Sequence, residues 1–187
     1  MGPATAEEVV LQYEDQVRLA WTSLRRHSAH ARVYLSMEHH WNSQGHPDPL
    51  RGTVDAPIDR HPTHDYKWAV VTGGKPSVTH YDTLEAFPHA SLLEVHLETG
   101  RTHQIRVHMA AIGTPIVGDK LYGPDREIFL RSAAGTLTDW DREQLVIDRH
   151  ALHSARLVFR SPAADEPTCI ESSLPGDLVE AFPQFAG

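Results

Sequence analysis

Long apolar runs are missing from this sequence: nothing in its 187 residues approaches the roughly 18 consecutive apolar residues that a membrane-spanning helix needs. The first ten residues, MGPATAEEVV, also lack the basic start and apolar stretch of a secretory signal. The expected location is therefore the cytoplasm, with no membrane partner. Cysteine is nearly absent. The lone Cys169 has no second thiol to pair with and no ligands beside it, so it reads as a small apolar side chain without a chemical role. Internal repeats, heptads and low-complexity tracts are absent too, which argues against solenoid and coiled-coil architectures.

Positive charge is also in short supply, with 17 Lys and Arg against 25 Asp and Glu for a net charge of −8. A nucleic-acid partner needs Lys and Arg for its phosphates, so the position of that charge matters. Residues 161–187 hold five acidic residues and no Lys or Arg, so much of the excess sits in the tail. The centre is near balance and carries Arg51, Arg60, Lys67, Lys75, Arg101, Arg106 and Lys120 among many histidines. That permits RNA binding without predicting it. With 40% hydrophobic and 22% charged residues, the chain has the composition of one ordinary globular domain.

What is present becomes easy to read from Ser77 onward. Ser77 to Glu85 and Leu92 to Glu98 alternate with period two and predict strands, and Phe87, Pro88 and His89 between them predict an antiparallel hairpin. Lys67 to Val71 is a third candidate strand, closed by Gly73-Gly74. A helix follows over about Thr102 to Ile112, with Gly113 at its end and Pro115 beyond. Ile105, Met109 and Ile112 form its apolar stripe, which leaves Arg106 beside the core but not pointed into it. Leu152 to Phe159 alternates again, and Asp177 to Phe182 fits a short terminal helix. Glu7 to Leu24 has helical composition, while His27 to Gln44 follows neither period and is expected to be irregular.

The segment Thr99 to Arg106 lies where a strand hands over to a helix. Gly100 allows a sharp turn, the first N–H groups of a helix attract anions, and two arginines flank the junction. That suits a phosphate or carboxylate; a corner with a Thr N-cap and solvated arginines fits the same residues. His96, His103 and His108 invite a metal reading, but His103 and His108 are five apart rather than four, and His96 sits on the strand face opposite the apolar residues. No metal is expected. His39, His40, His61 and His64 read as surface or loop residues. Asp119, in GDKLYG, reads as a turn residue bonding its own backbone, and Tyr122 as packing.

These residues carry a family likeness. LETGRTHQIRVHMAAIGTPIVGDKLYG resembles the C-terminal signature of the RluA-type RNA pseudouridine synthases. Gly52 to Arg60 resembles the family's G-x-I-x-x-P-I-x-R segment, Gly74 to Tyr81 its G-K-x-A-x-T-x-Y segment, and His150 to Phe159 its L-H-A-x-x-L-x-F strand. The resemblance implies an α+β fold, a mixed and largely antiparallel sheet with packed helices, incomplete at its N-terminal side. It divides the chain into a divergent segment, 1–44, and the C-terminal part of a catalytic domain, 45–187.

The implied activity is isomerisation of uridine to pseudouridine in ribosomal or transfer RNA, by a monomer with no cofactor. An aspartate does the central chemistry on a flipped base. By the same resemblance Arg106 is the catalytic arginine that pairs with that aspartate, Arg101, Thr102, His103 and Gln104 line the base pocket and its backbone, and Leu152 is the wall beneath the base. The family's R-L-D-x-x-T-S-G motif has its nearest string at Arg18 to Leu24, where Ala20 stands at the aspartate. Counting back from Gly45 puts Met37 at the motif lysine and His39 at the stacking tyrosine. The alternative expectation is a catalytically silent RNA-binding remnant of such an enzyme.

Overall fold

The protein is described by a computed structural model over residues 28–36, 47–86, 90–123, 125–160 and 167–183. Alternation builds the sheet. β1 (Ser28–Ser36), β2 (Arg51–Asp55), β5 (Val78–Ala86), β6 (Ala90–Leu97), β7 (Leu152–Arg160) and β8 (Pro167–Glu171) pair in the order β2-β5-β6-β1-β7-β8. Every neighbouring pair is antiparallel. β5 and β6 make the predicted hairpin pairing, with Tyr81 opposite Val95 and His80 opposite His96. Tyr81 and Val95 are buried, whereas His80 and His96 are only half-buried on the other face, as period two requires.

β1 is the main departure from the sequence reading, which expects irregular chain there. It pairs with β6 on one side and β7 on the other. Its sequence does alternate, but Ala29 and Ala31 are too small to give the pattern contrast, and two backbone ladders hold such a strand without it. The helix expected over Glu7–Leu24 and the motif positions Arg18–Leu24, Met37 and His39 lie outside the described residues.

One face of the sheet carries the core. α1 (Gln104–Ala111) and α4 (Gly176–Ala181) lay Ile105, Met109 and Leu178 against Val54, Tyr81, Leu93 and Val95, and Ile116, Val117 and Phe182 complete the cluster. Ile112 packs at its margin, so the predicted stripe of α1 is present. Gly113, at φ 80, ends the helix with its N–H on Ala110 O.

Two further helices were not foreseen: α2 (Arg126–Ala133), capped by Asp125, and α3 (Asp139–Leu145), opened by a capping box between Thr138 and Asp141. Arg131 of α2 joins them by donating Nε to Asp141 Oδ2 at 2.8 Å and Nη2 to Oδ1 at 2.5 Å. A separate hairpin of β3 (Ile58–Arg60) and β4 (Trp68–Val70) lies beside α1.

Candidate functional site

The corner between β6 and α1 is built by a relay of buried polar groups. Val78 N–H donates to Thr99 Oγ1 at 2.9 Å, and that hydroxyl donates to Gln104 Oε1 at 2.8 Å. The same Oε1 accepts from Arg101 N–H at 3.0 Å, while the Gln104 amide donates to Val78 O at 2.9 Å and to Thr79 Oγ1 at 3.0 Å. Thr79 Oγ1 lies 2.9 Å from His108 Nδ1, and His108 Nε2 lies 2.9 Å from Ala56 O. A carbonyl only accepts, so Nε2 bears the proton and Nδ1 accepts from the threonine. Burial holds His108 neutral by lowering its pKa.

This relay fixes the start of α1. His103, the N-cap, takes a left-handed conformation at φ 55 and makes no side-chain cap bond, in place of the Thr cap that the sequence allowed. Its ring turns instead to Tyr122, with Nδ1 3.0 Å from the phenol oxygen and the two rings edge-on at 81°. The phenol oxygen also accepts from the Trp68 backbone N–H at 3.0 Å. Burial, helped by the neighbouring Arg106 charge, lowers the His103 pKa to about 3. His103 is therefore a neutral ring held in place against Tyr122.

Arg106, three residues further along α1, meets Asp119 in a bidentate pair, Nε to Oδ2 at 2.7 Å and Nη2 to Oδ1 at 2.8 Å. Asp119 Oδ1 also accepts from the N–H groups of Leu121 and Tyr122, each at 3.0 Å. The turn bonding read from the sequence is thus present, with the arginine added. Burial by itself would raise the Asp119 pKa, but Arg106's charge and hydrogen bonds more than offset it and hold the carboxyl below its usual range.

The two outer glycines of GDKLYG explain themselves. Gly118 sits at φ +71, where a Cβ would fall 2.1 Å from Arg149 O, and a Cβ on Gly123 would fall 2.0 Å from Asp119 O. With the turn drawn this tight, Tyr122 lies under Arg106, its ring 4.9 Å from the guanidinium carbon. His150 borders the same pair, and burial together with the Arg106 charge lowers its pKa to about 4.

A guanidinium fixed along one edge by a carboxylate and on one face by a phenol has little freedom left, and two neutral imidazoles surround it. Such a site holds an anion, or a polar planar ring, in a set orientation. Asp119 itself is an anchor. Its side chain is fully buried and its oxygens are engaged by Arg106, Leu121 and Tyr122, so it is not placed to attack a substrate.

Of the residues expected from sequence, Arg106 and His103 come together at this point. Arg101 lies at the same corner and braces it, Nε to Pro76 O at 3.1 Å. Gln104 is 2% exposed and donates and accepts entirely within the protein, so it is a strut of the corner. Thr102 is half-buried on the corner. Leu152, half-buried, follows Ala151, whose N–H bonds Val117 O at 2.8 Å and so brings the head of β7 beside the Asp119 turn. Asp119, Tyr122, His150 and Trp68 were not foreseen as part of a site. The signal for the first two was their place between the two glycines of one turn.

The described residues contain no group of three His, Cys, Asp or Glu side chains arranged to hold a metal ion. They also contain no helix long and apolar enough to cross a membrane.

Comparison with known proteins points one way. Residues 15–111 match the family described as RNA pseudouridylate synthase, a span that begins inside the segment 1–44. A protein of Mycobacterium bovis named as an uncharacterized RNA pseudouridine synthase is 46% identical over 168 residues, covering 90% of this chain and 50% of that protein. The ribosomal large subunit pseudouridine synthase D of Xanthomonas campestris is 47% identical over 127 residues, 68% of this chain and 37% of its own length. This chain thus spans half or less of the length of these relatives. Among solved structures, human RNA pseudouridylate synthase domain containing 4 superposes with a TM-score of 0.60 at 23% identity, over 91% of this chain and 66% of that one, which establishes a shared fold.

Proposed function

This chain belongs to the RNA pseudouridylate synthase family, and we propose that it supplies the arginine side of an active site that isomerises uridine to pseudouridine in ribosomal or transfer RNA. Within this reading, residues 45–187 are the C-terminal part of the catalytic domain, and the divergent segment 1–44 lends β1 to its sheet. The protein acts as a monomer in the cytoplasm.

The observation that carries the proposal is Arg106, clamped by Asp119 and Tyr122 inside the family-matched corner. The reaction breaks the bond from ribose C1′ to N1 of the base, turns the base and rejoins it through C5, with loss of the C5 proton. The base must leave its stack to be reached. Arg106 orients and keeps ionised the reacting carboxylate, which comes from outside the described residues. Asp119 positions Arg106. The neutral His103 ring meets the substrate without adding a second charge beside the guanidinium. Leu152 supports the base from below.

The test is to incubate the purified chain with ribosomal and transfer RNA and map pseudouridine by chemical derivatisation. The expected result is new pseudouridine that disappears with Arg106→Ala. RNA binding without new pseudouridine would instead identify a silent remnant.

A further inference from the structure

The loop joining β3 to β4 carries a feature that the Arg106 site does not use. His61 and His64 stack at 4.7 Å and 24°, His64 and Tyr66 at 5.6 Å and 27°, and Tyr66 and Phe129 of α2 at 5.2 Å and 14°. Four rings thus form one continuous column. The Tyr66 hydroxyl is buried and has no hydrogen-bond partner among the described residues, so ring stacking sets its position. Tyr66 on Phe129 accounts for fixing the loop to α2. His61 and His64 extend the column past that anchor and remain half-buried rather than enclosed.

Positive charge gathers at the same end. Lys67 and Arg126 both act electrostatically on His61, and burial keeps its imidazole neutral with their help. Aromatic rings beside ammonium and guanidinium groups are the combination that takes up a single strand, bases on the rings and phosphates on the cations. The loop is also tied to the Arg106 site, because Trp68 at its end donates to Tyr122 and Arg60 at its start lies over the Trp68 ring at 5.0 Å.

We propose that the His61–His64 end of this column, with Lys67 and Arg126, is a stacking platform for a single-stranded nucleotide flanking the target uridine. It rests on the reading that the chain acts on RNA. A flipped uridine at Arg106 leaves its neighbours unpaired, and the platform holds one of them through its ring face and its phosphate, without reading its sequence.

Fluorescence anisotropy of the full chain with a labelled single-stranded oligouridylate of about 15 nucleotides tests this. His61→Ala with His64→Ala should weaken binding about ten-fold or more, within the range expected for a lost base stack. His61→Phe with His64→Phe should restore it, which a role in charge would not do, and matching melting temperatures of wild type and the double alanine variant separate lost stacking from lost folding. Arg126→Gln should lower the slope of log affinity against log salt by about one. Unchanged affinity in the double alanine variant, or failure of the phenylalanine pair to rescue, overturns the platform. Wild-type chain that binds with these dependences yet forms no pseudouridine leaves the platform standing and removes only the isomerase reading. Absence of any RNA binding by the wild type removes both.

Discussion

Arg106 enters the site already partnered, and that shapes what substitutions do. Removing Asp119 strands a guanidinium that is 13% exposed and leaves two turn N–H groups without their acceptor. Asp119→Ala should therefore cost about 3–5 kcal/mol, or a fall in melting temperature of about 6–20 °C for a chain of this size, read by calorimetry. A change within error would mean that the pair is not formed.

Protonation acts at the same place. Asp119 has a lowered folded pKa, so its contribution is present above the ordinary carboxylate range and lost as pH falls through the folded value. His103 and His150 are held neutral, at about 3 and about 4, against 6.5 when unfolded. The unfolded chain then binds more protons below pH 6.5, and stability drops on acidification from there towards pH 4. Urea midpoints at pH 7.5 and pH 5 should differ, with the lower at pH 5, and His150→Asn should narrow the difference. Equal midpoints in the wild type would contradict the buried neutral state.

Elements were legible where their period had contrast. β5, β6, β7 and α1 were read close to their observed bounds because Val, Leu, Ile and Tyr alternate or recur against charged neighbours. β2 and β3 are five and three residues long, too short for a period to show. β1 hid behind alanines. α3 was missed because its capping box closes with Asp141 instead of the usual glutamate. Within the site, Arg106 and His103 were legible through resemblance, but Asp119 and Tyr122 take part through a turn that folds back by thirteen and nineteen residues, and no local pattern reports that. The turn itself is the sharpest target at this scale. Gly118→Ala places a Cβ against Arg149 O in a backbone region that alanine resists, and should cost more than about 2 kcal/mol or abolish folding. Gly135→Ala makes a control, since its φ is also positive, at +69, but nothing lies within 4 Å of a Cβ there. Equal stability of the two variants would show that the close turn is not needed.

At the scale of the molecule, a net charge of −8 and the proposed RNA partner are reconciled by position. The acidic excess lies largely in residues 161–187, while Arg60, Lys67, Arg106, Lys120, Arg126 and Arg149 surround the site and its adjoining loop. The six-stranded sheet serves as a plate: α1 and α4 cover one face, and the β6–α1 corner delivers Arg106 at the margin of that core. Under the proposed function this arrangement aims one guanidinium at a uridine, and tritium release measures that most directly. RNA carrying tritium at uridine C5 loses it to water when the base is rejoined through that carbon. The full chain should release it, and Arg106→Ala should slow release at least about 100-fold, measured at a temperature where circular dichroism shows the variant folded, since the substitution strands the buried Asp119. Release by Arg106→Ala at the wild-type rate would contradict the account.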